Sequence, residues 1–358
     1  MDRKAVGGMG TLETVRQAKQ WVRRAAAEAY ACAPGFLETL RGKVTILMYH
    51  RVVSGEELSR HYIQPGMYVA TSTFERHVIF LKNHFEIISM SDLLSMWEEQ
   101  RWDPRQRYCV VTFDDGWLDN YLHAFPVLRQ YAVPATVFLP TGFIGTDDWF
   151  WPEKMAWMYR QYATREEGEK QRCLVALRSR YSWSGGFGQA VVRGDINALI
   201  EHCKTFNPEQ VDTLLSSWAA SLEVGLPPER QVIDWDEARA MSAAGVSFGS
   251  HSVSHKILTK LRPGEVVREV EDSWAVLAQQ RVNSVPVFCY PNGDWSPGIS
   301  SAVKAAGYKA ATTTEFGYEA QTPANRFGLK RVNVHDHITC TDSLFAFHLA
   351  GYNNIRLR

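Results

Sequence analysis

The chain has 358 residues, of which 45 % are apolar, 22 % charged and 12 % aromatic, a globular composition rather than a disordered or fibrous one. Its 39 basic and 39 acidic residues cancel, which argues against nucleic-acid binding, because phosphate backbones are held by a basic face. No run of 18 apolar residues occurs, so no membrane-spanning helix is expected, and the six cysteines, with no CxxC pair, are expected to be reduced thiols.

Residues 11–41 open the chain as a helix. Leu12, Val15, Val22, Ala26 and Ala29 recur at helical spacing with Arg16, Lys19, Arg23 and Arg24 among them, and Pro34–Gly35 interrupts the pattern. The segment can pack on the outside of the fold or rest as a basic amphipathic helix on a membrane, which makes residues 11–30 a candidate for peripheral membrane contact. Met1 to Gly10 is polar and Gly-rich with no apolar stretch behind it, so the expected location is cytoplasmic, with membrane association left open.

From Lys43 short apolar runs alternate with helical patterns. The runs are Val44–Met48, ending at Tyr49-His50; Tyr108–Phe113, ending at Asp114-Asp115-Gly116; and Ala135–Leu139, ending at Pro140. They continue with Val246–Phe248, ending at Gly249-Ser-His251; Val285–Tyr290, ending at Pro291; and the segments 309–313 and 329–334. Helical periodicity fills 72–85, 89–100, 117–131, 235–245, 262–282, 296–306 and 341–351. Continuous apolar runs separated by helices predict buried parallel strands, and polar residues gather where the runs stop. The expected fold is a distorted (β/α) barrel of about seven strands with its site at the strands' C-terminal ends.

Residues 147–234 break the alternation and read as a helical insertion, with helices over 151–181 and 194–224 around a Ser-Trp-Ser-Gly-Gly loop at 182–186. The insertion opens on the aromatic cluster Trp149-Phe150-Trp151, which either packs it onto the barrel or walls a substrate groove. The expected organisation is an N-terminal helix (1–42), a barrel (43–146 and 235–340), the insertion (147–234) and a C-terminal helix with tail (341–358).

Two features carry chemistry. Asp114 and Asp115 follow a strand, where successive side chains diverge, so one carboxylate can bind a metal while the other faces a reacting water. His251 and His255 are four residues apart, a spacing that on a helical turn places both rings on one face. Together Asp115, His251 and His255 offer one oxygen and two nitrogens and leave a position open for water, as in catalytic zinc sites, with Asp114 as general base.

The sequence resembles the polysaccharide deacetylases of the NodB-homology type, carbohydrate esterase family 4. The matching pieces are Thr112-Phe-Asp-Asp-Gly116, Gly249-Ser-His-Ser-Val-Ser-His255 and Phe288-Cys-Tyr-Pro-Asn-Gly293, in that order. Ala135–Leu139 and Ala305-Ala-Gly-Tyr308 match as context, and the resemblance covers about 43–145 and 235–335. It implies Asp114 as base, Asp115, His251 and His255 as ligands of Zn²⁺ (or Co²⁺ or Ni²⁺), and Tyr290, beside Pro291, as the backbone oxyanion donor. The family's base-orienting Arg is absent from the third motif, and Arg331 is the candidate substitute. The general acid is His50, as in the subgroup with an N-terminal Tyr-His segment, or else His335 or His337. Tyr68 and Trp295 could shape a sugar subsite, and the other histidines, His61, His77, His84, His123, His202 and His348, read as surface or satisfied core groups.

The implied activity is removal of an acetyl group from an N-acetylated sugar, in a glycan or in a lipid- or nucleotide-linked precursor. The rival readings are hydrolysis of another C–N amide bond on the same scaffold, and a non-catalytic glycan-binding or scaffolding protein.

Overall fold

The computed structural model describes residues 7–60, 62–180 and 185–352. Its strands are β1 (Val44–Tyr49), β2 (Arg51–Val53), β3 (Tyr68–Ala70), β4 (Glu86–Ile87), β5 (Tyr108–Phe113), β6 (Ala135–Leu139), β7 (Ser247–Ser250), β8 (Ser284–Cys289), β9 (Ala310–Phe316) and β10 (Leu329–Asn333). Seven of them close into a parallel barrel in the order β1-β10-β9-β8-β7-β6-β5, with β5 pairing back onto β1. The barrel is the one expected from the alternation. The two- and three-residue strands β2, β3 and β4 were too short to show a period; β4 rides on the start of β5, and β2 pairs with β3 outside the barrel.

Strand alternation sorts the side chains into two sets. Val44, Ile46, Val110, Phe138, Val287, Cys289, Ala310 and Leu329 share one buried cluster, which runs on into Met90, Leu93, Leu94 and Trp97 of the helix Met90–Glu98. That helix closes the end where the strands begin. Neighbouring residues such as Leu47, Tyr49, Val111, Phe113, Val137 and Phe248 pack instead with Phe74, Val78 and Leu81 of the helix Thr71–His84 and Met241 of the helix Trp235–Ala243. The opposite mouth, with the polar strand ends, stays open.

Among the described residues the insertion folds as five helices, Trp151–Ala163, Glu167–Arg180, Gly185–Arg193, Ile196–Cys203 and Pro208–Leu222. Each expected long helix is therefore broken; an Asn207 capping box restarts the chain before Pro208. Residues 182–184 of the expected loop lie outside the described residues, and Gly185 and Gly186 belong to a helix. Met155, Leu177, Leu199, Leu214 and Trp218 pack in a core made from the insertion alone.

The first helix is Gly7–Ala31 and ends before Pro34, as expected, but Glu38–Leu40 is a short 3₁₀ turn. Arg23 donates to Ile338 O of the short helix Asp336–Thr339 at 3.1 Å, and Tyr30 packs edge-on against Phe347 of the helix Asp342–Leu349, which fixes the first helix to both. Ala27 is buried, whereas Trp21 and Val22 are 71 % and 49 % exposed. Among the described residues no helix is long and apolar enough to cross a membrane.

His77 and His348 are buried core histidines. His77 lies between the Tyr49 hydroxyl (3.1 Å) and Thr339 O (2.6 Å), and His348 Nε2 faces Asn333 O at 2.6 Å. Burial lowers each from 6.5 to about 4. Unfolded, each ring binds a proton below about pH 6.5; folded, only below about pH 4. Stability is thus full above pH 6.5 and lost as the pH falls toward 4, by about 2 kcal/mol per ring at pH 5. Urea midpoints at pH 7 and pH 5 test this, and an unmoved midpoint refutes it.

Candidate metal centre and active site

Parallel register brings the strand ends level. Tyr49 is opposite Phe113, and the Asp114 N–H extends the ladder to Tyr49 O at 3.0 Å, so His50 and Asp114 leave adjacent strands at one height. Leu139 is opposite Ser250, and the His251 N–H donates to Leu139 O at 2.9 Å. The side chains converge in a rim cavity of about 320 Å³, lined among others by His50, Asp114, Asp115, His251, His255 and Asn292.

His251 and His255 do not share a helical turn. The chain after β7 is a loop in which Ser252 (φ 66°) and His255 (φ 55°) are left-handed. Asp115 (φ 74°) and Asn292 (φ 59°) are left-handed too, so four of the nine non-glycine residues with positive φ among the described residues stand at this site. Such conformations cost about 1–3 kcal/mol each and collect where function requires them. Gly116 follows at φ 65°, where a Cβ would come within 2.6 Å of Leu139 Cδ2.

Glu269 of the helix Pro263–Gln279 holds the histidine loop. It accepts from Val253 N (2.9 Å), Ser254 N (2.8 Å) and the Ser254 hydroxyl (2.5 Å). Glu269→Ala is therefore expected to weaken Zn²⁺ affinity about 10–100-fold, measured by competition with a chromophoric chelator, while the fold persists. Unchanged affinity would show that the clamp is dispensable.

The two imidazoles meet one carboxylate oxygen. Asp115 Oδ1 lies 3.3 Å from His251 Nε2 and 3.1 Å from His255 Nε2. Ligands bound tetrahedrally at about 2.0–2.1 Å stand about 3.3 Å from one another, so the spacing fits one small divalent cation. His251 Nδ1–H donates to Cys289 O at 2.7 Å, which leaves Nε2 free to bind, and Trp117 Nε1–H donates to Asp115 Oδ2 at 2.9 Å. Burial alone would raise the Asp115 carboxyl; the His255 and His251 rings outweigh it and hold Asp115 well below the usual range.

Asp114 is held apart from that set by Arg331. The guanidinium, fully buried inside the barrel, meets both Asp114 oxygens at 2.7 Å and spends its other N–H groups on Thr313 O, Thr112 Oγ1 and Cys289 Sγ. Burial pushes the Asp114 carboxyl up, but the Arg331 charge and hydrogen bonds override it and keep Asp114 below its ordinary value. His50 Nε2 is 3.9 Å from Asp114 Oδ2. Burial lowers the His50 pKa, against the pull of Asp115 and Asp114. The π-helical turn Asn120–Ala124 fixes this strand end: Asn120 Nδ2 donates to His50 O at 2.8 Å, and Asp119 takes Arg51 (2.7 Å) and Val52 N (2.9 Å).

Three expectations are placed differently. The Tyr290 N–H already donates to Thr312 O at 3.2 Å and Pro291 has no N–H, whereas the Asn292 N–H has no partner among the described residues and Asn292 lines the cavity. Trp295 stacks on Tyr290 and Tyr68 packs on His337, both outside the cavity lining. His335 and His337 also lie outside it, and His335 senses Arg23 of the first helix. Trp149-Phe150-Trp151 divides its work: Phe150 packs on Trp117 and His255, while Trp151 lines the cavity. Glu269, Trp117 and Asn120 were not singled out from sequence. Arg331 does carry a signal, since it sits two residues after Leu329 in β10 and so shares its inward face.

A family model described as Polysaccharide deacetylase matches residues 102–168 and 203–311. The Bacillus subtilis protein YxkH, named a polysaccharide deacetylase, is 22 % identical over 82 % of this chain and 71 % of its own length. A poly-β-1,6-N-acetyl-D-glucosamine N-deacetylase of Staphylococcus aureus is 30 % identical over 81 residues, 22 % of this chain and 27 % of that protein. Streptococcus pyogenes deacetylase PplD, solved in complex with acetate, superposes with a TM-score of 0.54 at 18 % identity, over 85 % of this chain and 97 % of that one, a likeness of fold.

Proposed function

We propose, from the premise that this chain belongs to the polysaccharide deacetylase family, that it removes the acetyl group from an N-acetylated sugar in a metal-dependent hydrolysis. Membership makes it a hydrolase of carbon–nitrogen amide bonds. The observation that carries the finer reading is the pairing, at one rim, of an Asp115–His251–His255 donor set with a second carboxylate, Asp114, kept ionised by Arg331. Asp115, His251 and His255 would hold Zn²⁺, or Co²⁺ or Ni²⁺. When bound, such a cation supplies Lewis acidity and lowers the pKa of a bound water toward about 7.

The chain's own groups do the rest. Asp114 accepts the proton of the attacking water. The Asn292 N–H, in place of the Tyr290 N–H, faces the developing oxyanion. His50 protonates the leaving amine; its lowered pKa makes the protonated ring a stronger acid for that step. Acetate departs, and the sugar keeps a free amine. The name of the Staphylococcus aureus relative supports N-acetylglucosamine as the sugar. The insertion's own core supports 147–234 as a unit distinct from the barrel, with Trp151 as its contribution to the cavity wall.

Metal analysis of the purified chain, together with acetate release from N-acetylglucosamine oligomers, tests the reading. One divalent ion per chain and acetate release are expected, both lost in His255→Ala. A folded chain that binds no metal and releases no acetate would refute it.

A further inference from the structure

We propose that the groove between the insertion and the barrel rim is a subsite for the diphosphate of a diphosphate-linked N-acetyl sugar; this rests on the deacetylation reading for the sugar itself. A second cavity, of about 410 Å³, adjoins the catalytic one, and the two share Trp151, Lys204, His255 and Ile257. A ligand whose acetamide reaches His255 can therefore extend past Trp151 and Lys204 into the second cavity.

Four lysines line that second cavity from two parts of the chain. Lys154 and Lys204 come from the insertion, and Lys256 and Lys260 from the segment just after the ligand His255. Lys154 is paired with Asp148 at 2.5 Å, and Lys204 with Glu201 at 2.7 Å. The side-chain ammonium groups of Lys256 and Lys260 have no ion pair or hydrogen bond among the described residues. With Asp148 and Asp212 in the same lining and Glu201 on Lys204, four cations face three anions, and Lys256 and Lys260 are the two lysines left without a carboxylate partner. The lining keeps a net positive charge, its two unpaired ammonium groups can each take one phosphate of a bridging diphosphate, and lysine is a regular phosphate partner.

The same surplus disfavours the alternative occupant, a polymer already partly deacetylated. Each acetyl group removed leaves an ammonium, and successive ammonium groups threaded along the lysines would be repelled. A neutral glycan would gain from the aromatic walls but would make no use of Lys256 and Lys260. A single N-acetyl sugar on a diphosphate uses both cavities: the sugar at Trp151 beside the metal ligands, the diphosphate among the lysines. The carrier beyond the diphosphate is a nucleoside or an isoprenoid, and the groove chemistry is common to both.

The test uses the full chain loaded with Zn²⁺ and three probes: UDP-N-acetylglucosamine, a short-chain prenyl diphosphate N-acetylglucosamine, and neutral chitotriose. Acetate release is followed by kinetics, and binding of the same probes to the Asp114→Asn chain is followed by calorimetry. A diphosphate-linked probe is expected to show KM and Kd about ten-fold below those of chitotriose, rising with NaCl. Lys256→Ala/Lys260→Ala is expected to erase about ten-fold of that preference, and Lys256→Arg/Lys260→Arg to retain it. Whichever diphosphate probe is preferred names the carrier. Equal or better binding of chitotriose, or a preference indifferent to the double alanine change, overturns the subsite. Acetate release from all three probes without preference keeps the deacetylation and removes the subsite. Preferential binding without acetate release does the reverse.

Discussion

Asp114→Asn is expected to leave a folded chain that still binds its metal and has a kcat for acetate release about 10²–10⁴-fold below the parent. The proposed ligand set, Asp115, His251 and His255, does not use Asp114, so metal content should hold. The amide is isosteric but takes no proton from water, so the loss should fall in kcat rather than KM. The structure adds a cost to this change. Arg331 is fully buried and meets both Asp114 oxygens, so a neutral partner leaves a buried guanidinium uncompensated. Breaking one side of such a pair costs about 3–5 kcal/mol, which a domain of ordinary stability, about 5–15 kcal/mol, survives. Denaturant midpoints and metal content measured beside the kinetics separate the two effects. A variant of near-parental kcat would end the assignment of Asp114 as base.

Arg331→Met is expected to lower stability by about 3–5 kcal/mol and to cut kcat by at least about ten-fold. Removing the guanidinium leaves Asp114 buried without its cation, and burial then favours the protonated carboxyl, which is no base. The double variant Asp114→Asn/Arg331→Met discriminates a pair from two separate contributions. It removes both charges, so its stability should exceed that of either single variant, which makes the coupling in the cycle larger than the greater single loss, above about 3 kcal/mol, while activity stays low. Additive losses of stability would show that the two groups do not act as a pair.

The strands and their order were legible because each apolar run and each helical period is written locally, in spacing that the backbone geometry imposes. The same local rule puts Asp114, His251 and His50 just past strand ends, and in a parallel barrel those ends share one mouth. Strands of two or three residues such as β3 and β4 carry no period, and the breaks in the insertion turn on single capping residues such as Asn207, so both escaped the pattern.

At the site the division is sharper. The sequence by itself determined the candidates for the chemistry: two carboxylates and two imidazoles at fixed separations, because residue type and spacing are chain properties. Only the tertiary structure decided how they are held. The histidine loop converges through left-handed Ser252 and His255 and the distant Glu269, not through a helical turn. Asp114 meets Arg331 across the barrel, 217 residues along the chain. The Tyr290 N–H is consumed by Thr312, and the Asn292 N–H is left without a partner among the described residues. Each of these is a non-local hydrogen bond or a backbone conformation whose strain is offset by contacts from other elements, and such terms have no trace in the spacing of one segment.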